Sequence, residues 1–106
     1  MDRLDELRQR QDELLLRKKG MEELLDSSGW KLIDAELSAA QRAYRQEDFA
    51  NGLNSIDSAF QSAGVRGMID GITRARLKPQ QILDDIAFDL AGITAELEEA
   101  HRDRES

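Results

Sequence analysis

The sequence contains no cysteine, one proline, and only five aromatic residues: one tryptophan, one tyrosine and three phenylalanines among 106 residues. Without cysteine, the chain forms no disulfide and no zinc site with thiolate ligands. No apolar run approaches the roughly 18 residues that a membrane-spanning helix needs. The first six residues are too charged for a signal peptide. β-Branched residues are scattered, which argues against a sheet.

Residues that could perform catalysis are equally scarce. The single histidine, His101, lies in a polar C-terminal tail. The sequence contains no nucleophile-elbow, Walker or dinucleotide-binding pattern, and Gly64-Val65-Arg66-Gly67 lacks the strand and helix that such a loop requires. We therefore expect no enzyme, no cofactor, and no catalytic or cofactor-binding residue.

Two groups of carboxylates are the only candidates for a metal site, because carboxylate oxygens are suitable ligands for hard cations. They are Asp84, Asp85 and Asp89, and Glu96, Glu98 and Glu99. Neither group has the calcium-loop spacing, and no Glu-x-x-His pair accompanies them. We interpret them as a solvated acidic face and predict no metal site.

Good helix formers dominate the composition, and apolar residues recur at helical spacing. A first helix is predicted from residue 2 to about residue 26. Its seam alternates steps of three and four, with Gln11 and Lys18 in polar positions, which is typical of coiled coils. The apolar members of this seam are Leu4, Leu7, Leu14, Met21 and Leu25.

Ser27-Ser28-Gly29 is the clearest break in the pattern, and a serine here can cap the next helix. The second helix has the most regular apolar seam in the chain, formed by Trp30, Ile33, Leu37, Ala40 and Tyr44. Trp30 and Tyr44 are either core residues or anchors at a protein interface, where these residue types are enriched. A short break between two such helices favours an antiparallel hairpin.

Residues 46–63 allow two interpretations. Asn51-Gly52 is a turn signal, which places a turn near residues 48–52 and a third helix after it. The apolar spacing nevertheless continues through Phe49, Ile56 and Phe60, so a single helix from Trp30 to Gln61 stays open.

Gly64, Gly67 and Gly71 lie on one helix face and predict a short or bent element, because glycine weakens helices. Pro79 is predicted to end this element, since proline disfavours helical geometry in the residue before it. Pro79 can also begin the last helix at its first position.

We therefore predict an all-α protein in a single domain, residues 1–106. Residues 1–45 form an antiparallel, coiled-coil-like helical hairpin. Residues 46–78 form a bent, glycine-containing helical segment, and residues 79–106 form a C-terminal helix with a polar tail.

The net charge of −7 argues against a general nucleic-acid binder, but the charge is unevenly distributed. Residues 65–80 carry four basic residues and one acidic residue: the basic ones are Arg66, Arg74, Arg76 and Lys78. This basic patch is either a solvated face or a contact for an acidic protein surface or nucleic acid.

The sequence resembles a group of short helical proteins encoded by tailed bacteriophages. The resemblance covers residues 28–84. It rests on Gly29-Trp30-Lys31-Leu32 opening a helix after a leucine- and charge-rich helix, on residues 65–72, and on the proline that follows at position 79. Some of these phage proteins are encoded near genes for head assembly and DNA packaging. The resemblance implies a structural or assembly role in a phage.

Long apolar seams on a short chain favour a non-enzymatic structural or assembly protein that acts through helix–helix packing. The expected partner is another protein, a second copy of the chain, or both, and no membrane. The interface candidates are Leu4, Leu7, Leu14, Met21, Leu25, Trp30 and Tyr44. The expected location is the cytoplasm of a bacterial host or the virion. The alternative is a small nucleic-acid-linked regulator or DNA-packaging accessory factor that uses the basic patch.

Overall fold

The computed structural model describes the backbone of residues 2–51 and 56–105 and the side chains of residues 2–47 and 63–104. Three helices account for this part of the chain: α1 (Arg3–Asp26), α2 (Ser28–Asn51) and α3 (Ile56–Glu105). No strand occurs in these residues. The all-α class predicted from the sequence is confirmed.

The first two helices begin at side chains that satisfy free backbone amides. The Asp2 carboxylate accepts a hydrogen bond from the Asp5 N–H at 2.9 Å, and this bond is the main reason that the pKa of Asp2 is lowered. The Ser27 hydroxyl oxygen accepts from the Trp30 N–H at 3.1 Å. Both are N-caps, which commonly contribute about 1 kcal/mol each. The predicted break and serine cap between the first two helices are therefore confirmed.

The chain divides into two compact units. The terminal unit comprises Met1–Leu25 and Gln80–Ser106, and the central unit comprises Asp26–Pro79. The terminal unit pairs α1 with the C-terminal part of α3. Its ion pairs join Arg3 to Glu96 at 3.1 Å and Asp2 to Arg104 at 2.7 Å, so the start of α1 lies beside the end of α3. The two helices are therefore antiparallel.

Leucine and isoleucine side chains form the core of the terminal unit. Its buried members are Leu4, Leu7, Leu14, Ile86, Ile93 and Leu97, and Met21, Ile82, Leu90 and Ala100 pack against them. The α1 residues in this core are those of the seam predicted from the sequence. Gln11 and Lys18, the polar members of that seam, are half-buried. Long polar side chains tolerate such positions because their stems pack while their polar ends reach water.

The central unit pairs α2 with the N-terminal part of α3. Asp34 contacts Arg76 and Gln41 contacts Thr73, so residue numbers rise along one helix as they fall along the other. These helices are also antiparallel. Among the side chains described in this unit, few are buried: Val65, Pro79 and the polar Gln41. The antiparallel hairpin is therefore present, but α2 forms it with α3.

This pairing corrects the expected hairpin of the first two helices. Within the terminal unit, the partner of α1 is the C-terminal part of α3. The physical reason is the length of α3, which has 50 residues, whereas α1 and α2 have 24 each. Each shorter helix therefore packs against its own part of α3.

The predicted helix end at Pro79 is wrong, because α3 continues through this residue. Proline inside a helix removes one backbone hydrogen bond and costs about 3 kcal/mol. Pro79 is itself buried, and the nearby positions 72, 76, 83 and 86, which are buried or half-buried, recur at helical spacing.

The glycines of the predicted bent segment lie inside α3. A side chain added at Gly64, Gly67 or Gly71 would meet no atom within 4 Å, so nothing in the described chain requires their small size. The predicted turn near residues 48–52 lies partly outside the described residues, since α2 extends to Asn51. The alternative of a single helix from Trp30 to Gln61 is wrong, because α2 and α3 are separate helices that run antiparallel.

Replacing Leu14 by alanine should destabilise the protein by about 2–3 kcal/mol, because the side chain is 4% exposed and its removal leaves a cavity in the core. The matched control is Leu16→Ala on the same helix, where the side chain is 72% exposed, and the expected loss is under about 0.5 kcal/mol. Urea unfolding followed by circular dichroism measures both. Equal losses for the two variants would contradict the assignment of the α1 seam.

Candidate functional site

The inner face of α2 differs from the seam predicted for it. The positions turned toward α3 are Trp30, Asp34, Leu37, Gln41 and Tyr44. Three of them agree with the prediction, but Ile33 is 53% exposed, and Ala40, which is half-buried, lies at the edge of this face. Alternating steps of three and four fit two seams that differ only at these positions. Apolar spacing alone favoured the wrong one.

A polar layer explains why the other seam is used. Arg76 on α3 donates from Nε to Asp34 Oδ1 at 2.8 Å and from Nη2 to Asp34 Oδ2 at 3.5 Å. Its Nη1 donates to Gln41 Oε1 at 3.1 Å. Arg76 is a fixed fork of donors and requires acceptors beside it. The seam through positions 34 and 41 provides them, whereas Ile33 and Ala40 would not.

The layer continues from Gln41 to the backbone of α3. The Gln41 amide nitrogen donates to the Thr73 hydroxyl and, at 3.4 Å, to the Ile69 carbonyl oxygen. The Thr73 hydroxyl donates to the same carbonyl at 3.0 Å. The orientation of the Gln41 amide follows from Arg76, which can only donate and must therefore face the amide oxygen. Gln41, which is 4% exposed, thus has partners for both ends of its amide.

The charges of the layer stabilise each other. The hydrogen bond from Arg76 lowers the pKa of Asp34, and the Arg76 charge adds to this effect, while desolvation partly opposes it. The pKa of Arg76 is raised in turn, first by the hydrogen bond to Asp34. The two side chains keep 32% and 37% of their exposure, so water screens the pair. Its main contribution is geometric, since a bidentate contact fixes two helices in one register.

An open groove of roughly 400 Å³ lies beside this layer. The residues that line it are Asp34, Gln41, Arg45, Thr73, Arg76 and Leu77. Most of its polar groups already bond to each other, and no histidine or other general base stands beside the Thr73 hydroxyl. The groove is therefore bordered by the hydrogen bonds that hold α2 and α3 in register.

The structure separates the four residues of the predicted basic patch. Arg76 belongs to the polar layer, on the inner face of α3. Arg66, Arg74 and Lys78 are exposed and are spread around the rest of the helix. Asp70 lies four residues from both Arg66 and Arg74 and shares their face. The described chain therefore does not present four basic side chains as one surface.

The predicted interface residues lie inside the two units. Leu4, Leu7 and Leu14 are buried in the terminal core, and Met21 packs against it. Leu25, Trp30 and Tyr44 are half-buried. The contacts that these side chains make in the structure are thus contacts within the chain.

Other large apolar side chains are exposed instead. They are Leu15, Leu16, Leu24, Leu32, Ile33, Met68, Leu77 and Phe88. Leu16 at 72% and Phe88 at 80% are the most exposed of them. No periodic signal in the sequence marked Phe88. Single exposed apolar residues are common, but their occurrence in both units marks candidate contact surfaces.

Within the described residues, no three acidic or histidine side chains converge on a point that could hold a metal ion. None of the described helices is long and apolar enough to cross a membrane. Comparisons of the chain with protein-family models, with curated proteins and with solved structures find no match.

The polar layer should make the central unit sensitive to acid. Because the folded-state pKa of Asp34 lies below its ordinary value, its contribution to stability is complete above about pH 4 and is lost as the pH falls through the folded-state pKa. Asp34→Asn should remove this part of the acid sensitivity. Urea unfolding between pH 7 and pH 2 measures it.

The control for this experiment is Asp70→Asn, which alters an exposed carboxylate of the same unit. It should keep the acid sensitivity of the parent protein. The role assigned to Asp34 is wrong if Asp34→Asn loses as much stability on acidification as the parent protein does.

Proposed function

We propose that this protein is a non-enzymatic structural or assembly protein that acts by packing its helices against those of another chain. The observation that carries this proposal is the exposure of large apolar side chains in both helix pairs. A pair of helices buries one stripe of each helix, and the remaining faces stay in water unless another helix covers them.

The incomplete burial of the described side chains supports the same proposal. None of them is completely removed from solvent, and the buried apolar ones described in the central unit are Val65 and Pro79. Small domains with little buried apolar surface commonly gain stability by oligomerisation. The polar layer favours this role as well, since polar contacts between helices specify pairing and register.

A virion or morphogenesis component of a tailed phage is the more specific form of the proposal. Its support is the resemblance of residues 28–84 to short phage proteins. The corresponding locations are the cytoplasm of the bacterial host and the virion, and the partner is a phage protein, a second copy, or both. The alternative of a small nucleic-acid-linked regulator has less support, because Arg76 bonds to Asp34 and Gln41 within the chain.

Photo-crosslinking residues placed at Leu16, Leu32 and Phe88 should give protein crosslinks in the producing cell, because these side chains are 72%, 63% and 80% exposed. The matched controls are the exposed polar positions Arg42 and Glu99. We expect crosslinks at the apolar positions and few at the controls. Light scattering of the purified protein gives its mass in parallel.

Phe88→Glu should change the free energy of unfolding by less than about 0.5 kcal/mol, because the side chain makes little contact within the chain. It should nevertheless remove crosslinks from photo-crosslinking residues placed beside position 88 on the same surface of this chain. A well-folded monomer with no crosslink at any apolar position would contradict the proposed function.

A further inference from the structure

The two flanks of the central helix pair have opposite character. Arg45, Thr73 and Leu77 each follow an inner-facing residue by one position, and all three line the polar groove. Four other side chains each precede an inner-facing residue by one position: Ile33 and Ala40 on α2, and Met68 and Ala75 on α3. One residue turns a helix by about 100°. These four side chains therefore lie on the flank opposite the groove.

This second flank, which we call the apolar flank, is formed by Ile33, Ala40, Met68 and Ala75. Ile33 and Met68 are 53% and 50% exposed. Gly71 lies between Met68 and Ala75 at helical spacing, and a side chain there would meet no atom within 4 Å. No atom of the described chain fills the space outside Gly71, so a neighbouring helix can approach this part of the flank closely.

The charges at the edges of the apolar flank complement each other. Glu36 on α2 follows Ile33 by three positions, and Lys78 on α3 follows Ala75 by three positions, so each lies at the outer edge of its helix on this flank. Both are exposed, and neither forms an ion pair or hydrogen bond in the described chain. The flank thus has an acidic edge on α2 and a basic edge on α3.

Such a surface is self-complementary. Asp34 contacts Arg76, and the two helices are antiparallel. Glu36 therefore lies at the same height along the helix axes as the turn that precedes Lys78. A two-fold axis parallel to the helices preserves this level and lays α2 of one copy over α3 of the other. It brings Glu36 to Lys78 of the second copy, and the symmetry repeats the contact.

We propose that the apolar flank binds the same flank of a second copy, forming a four-helix arrangement with two Glu36–Lys78 ion pairs between copies. This inference rests on the proposed function and names its partner. The occupant is a second copy because both charged edges required for the contact are present on this one chain. Four-helix packing also provides partners for Ile33 and Met68, which a single helix pair leaves in water.

The decisive experiment uses two variants, Glu36→Lys and Lys78→Glu. Each places like charges at both symmetry-related contacts of its own dimer and should raise the dimer Kd roughly tenfold. Mixing the two variants should restore the affinity, because both contacts of the mixed dimer then pair opposite charges. An effect within one chain cannot produce this recovery. Sedimentation velocity at low salt measures all three samples.

A steric variant tests the flank independently of charge. Gly71→Gln meets no atom within the described chain and should stabilise α3 itself, yet it should raise the dimer Kd roughly tenfold or more by occupying the interface. The matched control is Gly92→Gln in the terminal unit, where a side chain also meets no atom within 4 Å. This control should leave the dimer Kd unchanged.

The outcomes separate this inference from the function on which it rests. Recovery on mixing, together with weakening by Gly71→Gln alone, supports the apolar flank as the dimer interface. A dimer that is insensitive to all of these variants overturns the flank but leaves assembly by helix packing intact. If the parent protein stays monomeric at millimolar concentration, the proposal that a second copy binds the apolar flank is wrong. Crosslinks from Leu16 or Phe88 then test the proposed function separately.

Discussion

Two packed helices can bury only the stripe that each turns toward the other, and this constraint governs both units of the protein. In the terminal unit the stripe is apolar along most of its length, so leucine and isoleucine form a continuous core. In the central unit the stripe is interrupted by Asp34, Gln41 and Arg76, and few of the described apolar side chains are buried. The large apolar side chains that are exposed among the described residues lie outside these stripes.

The polar layer of the central unit fixes the register of α2 against α3 but stabilises the unit less than apolar packing would. Apolar side chains in the positions of Asp34, Gln41 and Arg76 would bury more surface, and buried polar groups often contribute little net free energy. A directed series of hydrogen bonds, from Arg76 through Gln41 and Thr73 to the Ile69 carbonyl, is satisfied in one register only. A slip by one turn would leave Gln41 without partners in a poorly hydrated site. Register is thus specified by hydrogen bonds where the apolar contacts are sparse.

The same layer accounts for the different flanks of the central unit. By drawing Asp34 and Gln41 inward, Arg76 leaves Ile33 and Ala40 on the outside. A surface suited to another helix is therefore a by-product of satisfying one arginine. The rotation of α2 about its own axis therefore determines both its contact with α3 and the contact proposed between chains.

Local patterns in the sequence were sufficient for several features. Helix propensity and the absence of strand signals determined the all-α class. The spacing from Leu4 to Leu25 determined the inner face of α1, and Ser27 determined where α2 is capped. These features depend on the chain within a few turns of each residue, and nearby sequence therefore predicts them.

Only the tertiary structure decided which helices pair, which seam of α2 faces inward, and whether Pro79 ends a helix. The first two depend on residues far apart in the chain, since Asp34 on α2 is bound by Arg76 on α3. Pro79 is buried inside α3, which nearby sequence does not reveal. The apolar stripes that indicated a helix-packing protein are therefore clear in the sequence. Their division into core and exposed surface is not, because a stripe is buried only where a partner helix covers it.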